Sequence, residues 1–165
     1  MRLWHLHPSY LDRLELVATW CEGLSALNIL RNEPIGSKRY PQLQKFKDSQ
    51  YGVDYMILYL WFIYKESETR GYKFDKTRLG ISVDDQIWFS KYDSNKLPVT
   101  IKQIEFEFNH LYKKFLTRDK EKAEKLMQSV IRKDKSMDIL KIKQHPIFSI
   151  VEGEIEEQDK SNNVR

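Results

Sequence analysis

The sequence predicts a mainly α fold, a single compact helical domain with long loops. Three observations lead there. Apolar residues recur at helical spacing over several segments, Pro and Gly fall between those segments, and strand-like runs are too few and too short to build a sheet core. A chain of 165 residues is one ordinary domain in length and can bury a real core.

Taken in order, residues 11–30 place Val17, Trp20, Leu24 and Leu27 on one face of a long first helix. A loop with Pro34 and Gly36 follows, and Pro41 suits the first turn of a short helix carrying Leu43 and Phe46. From Val53 to Arg70 apolar residues recur at 53, 56, 57, 60, 63 and 64, and Gly71 terminates this central helix. Residues 72–99 read as mostly irregular, with IWFS either a short strand or an aromatic loop and SNKLP a turn. Thr100 and Gln103 form a capping-box pattern ahead of a helix lined by Ile104, Phe108, Leu111 and Phe115. Another helix is expected from Asp119, burying Leu126, Met127, Val130 and Ile131 behind a lysine-rich outer face. PIFSIV at 146–151 reads as extended. The domain is expected to span 1–151, followed by an acidic, mobile tail over 152–165.

The chain carries a net charge of +4. Setting aside residues 152–165 removes two basic and five acidic side chains, which leaves 26 basic against 19 acidic, or +7 for the body. Such a field attracts phosphate polyanions, although many basic proteins bind none. Cys21 is alone, so no internal disulfide forms. The N-terminal residues contain no signal-peptide core, and the longest apolar run, Tyr55 to Tyr64, has ten residues, about half of a bilayer crossing. The expected location is cytoplasmic, within the nucleoid or as a virus-encoded protein in its host.

Walker, zinc-ligand cysteine, HExxH and GxSxG patterns are all missing. Glu22 is a candidate because it lies away from the apolar stripe of the first helix among small residues, Ala18, Thr19, Gly23, Ser25 and Ala26. Those neighbours clear space beside its carboxylate; the bland alternative is close helix packing beside a solvated glutamate. The amine of Met1 is the second candidate. An α-amine titrates near ~7.7–8.0 and a lysine near ~10.4, so about 10–15% of such amines are neutral at pH 7 against roughly 0.04% of lysines. Arg2 is large, which disfavours trimming of Met1. Every protein has an amino terminus, so this observation needs a second one beside it. His5 and His7 with His110 or His145 could ligate a metal, but four scattered histidines without a convergent carboxylate set are a weak ligand case.

The opening MRLWHLHPSYLD and the following LVATWCEGL resemble the pyrimidine-dimer DNA glycosylase family typified by phage-type endonuclease V. YPQLQKF at 40–46, RGYKFDK at 70–76, IEFEFNHLYKKF at 104–115 and HPIFSIVEG at 145–153 extend the resemblance over nearly the whole chain. It implies a DNA repair glycosylase with abasic-site lyase activity toward pyrimidine dimers or related damage. The amine of Met1 would attack the damaged nucleotide's sugar to give an imine, and Glu22 would assist. Arg2 would bind a phosphate beside the lesion, with Trp4, His7 and Tyr10 as pocket or backbone contacts, and Lys38, Arg39, Lys45 and Lys47 would add cationic ones. The implied partner is damaged double-stranded DNA, engaged by a monomer that needs no membrane, obligate protein partner, metal or other cofactor. The chain departs from its relatives at Cys21 and Ser25, where they carry Arg. Two alternatives stand beside this reading: a non-catalytic DNA-binding helical protein of the same fold, consistent with Cys21 and Ser25, and a metal-dependent hydrolytic nuclease using His and Asp or Glu.

Overall fold

The computed structural model describes residues 2–34, 39–82 and 91–160, and it is mainly α. Chain contacts divide it into two compact units: Met1–Leu3 with Leu11–Leu97, and Trp4–Tyr10 with Pro98–Arg165.

The first unit is built on α1 (Arg13–Asn32), the short α2 (Gln44–Lys47) and α3 (Gly52–Thr69). Asp12 starts α1 by accepting the Glu15 N–H at 2.8 Å, which satisfies one of the donors that a helix leaves orphaned at its N-terminus. The buried face of α1 runs through Leu16, Trp20, Gly23, Leu24 and Leu27, whereas Val17, expected in the core, is 40% exposed. The reason is packing against α3. A Cβ built on Gly23 would lie 2.5 Å from Leu60 Cδ2, so the missing side chain is what lets the two helices approach on this line. Leu43, Phe46, Met56 and Tyr59 complete this core. α3 ends where Gly71 adopts φ 74°, a left-handed turn favourable to glycine. The stretch expected to be irregular holds 3-10 turns at Lys76–Leu79 and Asp93–Asn95, while IWFS and Gly36 lie outside the described residues.

In the second unit α4 (Ile101–Arg118) is capped by Thr100, whose hydroxyl accepts the Gln103 N–H at 3.1 Å. Asp119 then closes α4 and caps α5 (Lys120–Gln128). Strands β1 (Leu97–Thr100) and β2 (Phe148–Val151) pair into a small sheet, and Leu6 bridges Gln144 beside it. All but the first residue of β1 belongs to this unit, whose core contains Trp4, Leu6, Phe108, Phe115 and Phe148. α5 stops earlier than the apolar pattern suggested: Ala123 and Leu126 are its buried residues, and Ile131 instead bridges Met137.

The acidic end makes defined polar contacts over 152–160. Thr100 donates its hydroxyl proton to Glu154 O at 2.7 Å, Lys102 pairs with the Glu154 carboxylate, and the Glu156 N–H donates to Gln103 Oε1 at 2.9 Å. The chain then forms the short α6 (Glu157–Lys160), in which Asp159 is buried against Gln103 Nε2 at 2.8 Å. A carboxylate taken out of water needs such a donor, and supplying it fixes this segment in place.

Candidate active site

Glu22 lies in the third turn of α1, at the border between its buried and exposed faces, and is half-buried. It therefore sits nearer the core than the position opposite it that the spacing suggested. The flanking residues explain the setting. Gly23 and Ala26 are buried on one side, and Ala18, Cys21 and Ser25 are small exposed residues on the other, so no large side chain from α1 covers the carboxylate. The backbone N–H of Arg2 donates to Glu22 Oε2 at 2.5 Å, a charge-assisted bond made across twenty residues of sequence. Both groups belong to the first unit. The carboxylate thus holds the peptide bond that follows the first residue. Met1 itself lies outside the described residues.

A band of aromatic side chains supports the other side of α1. Trp20 lies 5.2 Å from Phe74 and 6.5 Å from Tyr64, and Tyr64 stacks on Trp61 at 5.3 Å. The Tyr64 hydroxyl donates to Glu68 Oε1 at 2.6 Å; that hydrogen bond, with burial and the nearby carboxylate charge, raises the tyrosine's pKa. These contacts fix the helix that carries Glu22.

The other sequence-predicted contacts are scattered. Arg39 is exposed with its guanidinium 5.8 Å from the centre of the Tyr40 ring, and Lys45 is half-buried in α2. Lys47 is drawn inward: its ammonium donates to Arg39 O at 2.9 Å and lies 3.5 Å from Glu33 Oε2, where it lines a cavity of about 220 Å³ with Tyr51 and Asp54. Lys38 lies outside the described residues. In the second unit, Trp4 is 1% exposed, with its ring 5.8 Å from that of His110 and the Lys114 ammonium 5.5 Å from its centre. Burial makes it a core group and leaves it no face for DNA, which corrects its expected role. His7 Nδ1 is 2.8 Å from Ser9 Oγ, and the Tyr10 hydroxyl accepts the Lys143 N–H at 3.1 Å, so both half-buried side chains hold local structure.

One pair was missed. Glu107 is 1% exposed, accepts the His5 N–H on Oε2 at 2.7 Å and meets His5 Nδ1 with Oε1 at 2.6 Å. Burial pushes the Glu107 pKa up, but the His5 charge and hydrogen bonds from His5 and Gln103 outweigh it and hold the carboxyl below its ordinary value. The sequence carried a signal, since Gln103 and Glu107 interrupt the apolar stripe of Ile104, Phe108 and Leu111 at helical spacing. Among the described residues, no group of three or more His, Cys, Asp or Glu side chains could hold a metal ion, and no helix is long and apolar enough to cross a membrane.

Comparison with curated proteins and with solved structures returns no significant match for this chain. Residues 1–79, a little under half of its length, match the family model described as pyrimidine dimer DNA glycosylase, and over that stretch, which holds Arg2, α1 with Glu22 and α3, the chain is similar to this family.

Proposed function

We propose that the chain is a DNA repair glycosylase of the pyrimidine-dimer type, with abasic-site lyase activity carried by the Met1 amine and Glu22. The observation that carries this reading is the Arg2 N–H donating to Glu22 Oε2 at 2.5 Å. The α-amine of Met1 is separated from the Arg2 nitrogen by two backbone atoms, a span that standard bond lengths limit to about 3.7 Å. An amine on so short a leash is within reach of whatever Glu22 assists. The family match over residues 1–79 adds independent support, because both groups fall inside it.

In the proposed reaction the neutral amine gives its lone pair to C1′ of the damaged nucleotide. The C1′–N bond to the base breaks and the base leaves with that electron pair. Loss of the amine's proton and opening of the C1′–O4′ bond, with O4′ taking up a proton, yields a C1′ iminium. Glu22 stabilises the positive charge that develops on the sugar and assists removal of a C2′ proton. The electrons of that C–H bond move toward the iminium, the C3′–O bond breaks, and the 3′ phosphate departs by β-elimination. The lesion must first be extruded from the duplex, and damaged stacking lowers that cost. The proposed chemistry requires no metal or organic cofactor, and the partner is damaged duplex DNA bound by a monomer. Half-buried Arg2 and Lys45, with exposed Arg39, remain proposed phosphate contacts.

Borohydride trapping tests the reading. Incubation with duplex DNA containing an abasic site or a thymine dimer, followed by reduction, is expected to give a covalent adduct that maps to residue 1. Glu22→Gln is expected to abolish base release while leaving the affinity for DNA within about twofold, and an N-terminal extension to abolish trapping. The absence of an adduct with the unmodified chain refutes the lyase reading. The uncharged, exposed positions of Cys21 and Ser25 on α1 favour one alternative, a DNA-binding protein that has lost catalysis, and binding without trapping is its signature. Nicking that EDTA abolishes, leaving 3′-hydroxyl ends, identifies a metal-dependent nuclease instead.

A further inference from the structure

The reaction proposed above uses the first residue and Glu22, but the most heavily constrained part of the N-terminal segment begins three residues after Arg2. The chain enters the second unit at Trp4, and there residues 5–7 are fixed by polar contacts. The His5 N–H donates to Glu107 Oε2 at 2.7 Å and its Nδ1 lies 2.6 Å from Glu107 Oε1. The His5 carbonyl accepts the His145 N–H at 2.6 Å, its ring packs 4.6 Å from Phe148, and its Nε2 is 3.5 Å from Glu156 Oε1. The His7 N–H donates to Lys143 O at 2.9 Å. Behind the pair, Gln103 Nε2 donates to both Glu107 Oε1, at 3.0 Å, and Asp159, at 2.8 Å.

A buried carboxylate and imidazole are a poor way to gain stability, because desolvation offsets most of their attraction and an apolar pair of similar size often does as well. What the pair supplies is geometry. Glu107 grips one residue at two points, its backbone N–H and its ring, and so fixes both the position and the rotation of the chain at residue 5. From that point four residues lead back to the amine, by way of the buried Trp4 and the Arg2 N–H that Glu22 accepts. We propose that Glu107 and His5 are positioning residues, which pin the base of the arm that carries the reactive amine and thereby restrict the conformations that the amine samples. This rests on the proposed role of the Met1 amine. Released from Glu107, residue 5 keeps its carbonyl bond to the His145 N–H and Trp4 stays buried, but the two-point grip that sets the rotation at residue 5 is lost. Small displacements of a reacting group cost up to about a hundredfold in rate.

The test uses the full chain in three variants, Glu107→Gln, His5→Leu and His5→Asn. The rate of borohydride-trapped adduct is measured in single turnover at saturating abasic-site duplex, beside the DNA dissociation constant and the backbone order parameters of Arg2 to Trp4 in free protein. A positioning role predicts a trapping rate lowered about 10- to 100-fold in Glu107→Gln and His5→Leu, with the dissociation constant within about twofold. Order parameters should fall toward about 0.6 over the arm. His5→Asn keeps a side-chain donor for Glu107 and is expected to recover part of both losses. Equal trapping rates with an arm as ordered as in the parent overturn the proposal, as does a loss confined to DNA affinity. If the parent chain traps nothing, the lyase reading fails, and the order parameters still decide the clamp: an unchanged arm in His5→Leu overturns it, a disordered one supports it. Should Glu107→Gln lose its cooperative thermal transition, the comparison of His5→Leu with His5→Asn carries the same decision.

Discussion

Replacing Gly23 with alanine places a methyl carbon 2.5 Å from Leu60 Cδ2 and 3.2 Å from Leu60 Cγ, where α1 packs against α3. Leu60 is fully buried, so its side chain has little room to swing away. Overpacking of this kind costs about 1–3 kcal/mol, while exchanging glycine for alanine inside a helix returns about 0.8–1.0 kcal/mol. The expected net loss is about 0–2 kcal/mol, too broad a range to decide anything alone. A double-mutant cycle with Leu60→Ala sharpens it. That second change removes the obstructing Cγ and Cδ atoms and by itself costs about 2–5 kcal/mol for the cavity it leaves. In its background Gly23→Ala meets no obstruction and should be stabilising by about 1 kcal/mol, so the two changes should couple by about 1–3 kcal/mol. Urea unfolding of the four proteins at constant m-value measures the coupling. Additivity within about 0.5 kcal/mol refutes the close approach, as does a Gly23→Ala variant that gains the full helix-propensity benefit alone. The position also bears on function, because any shift of α1 at Gly23 moves the adjoining Glu22. Under the proposed mechanism, trapping by Gly23→Ala should fall further than its stability loss accounts for.

Gly52→Ala is the harsher test of the same kind, since its Cβ would fall 2.1 Å from Phe46 O, a backbone atom that cannot rotate aside. The expected loss is at or above about 3 kcal/mol, read as a fall in Tm of at least roughly 6 °C for a chain of this size; a loss under about 1 kcal/mol refutes it. The buried Glu107 carboxyl, held below its ordinary value, predicts the acid limb of stability. Its pKa is lower folded than unfolded, so its contribution is complete above the unfolded value near ~4.5 and disappears as pH falls through the folded value. The stability advantage of the parent over Glu107→Gln should therefore be up to about 3–5 kcal/mol at pH 7 and shrink below about pH 4.5. Urea midpoints collected from pH 7 to pH 3 check this, and an advantage that grows on acidification overturns the assignment of the pair.

The helices were legible because a period of 3.6 needs only neighbouring residues, and the starts at Thr100 and Asp119 need only three more. What failed required a partner distant in sequence. Of the expected face Trp20, Leu24 and Leu27 are buried and only Val17 is not, while Leu16 and Gly23 join them through packing that includes Leu60 of α3. Leu97–Thr100 looked like part of a turn because its pairing strand begins nearly fifty residues later. Trp4 looked available to DNA because nothing near it in the chain predicts the packing of His110 and Lys114. The candidate site divides the same way. Chemistry together with the family resemblance selected a terminal amine and an acid among small residues, whereas the bond from the Arg2 N–H to Glu22 spans twenty positions and no local pattern contains it. Chain starts ordinarily fray unless something ties them down, and here the ties are specific. Arg2 and His5 each donate a backbone N–H to a carboxylate, Glu22 and Glu107, within the first five residues. One such bond could be incidental packing. Two on so short a stretch, one of them to a carboxylate that had to be buried to make it, fit the proposed mechanism, in which this segment carries the reacting amine.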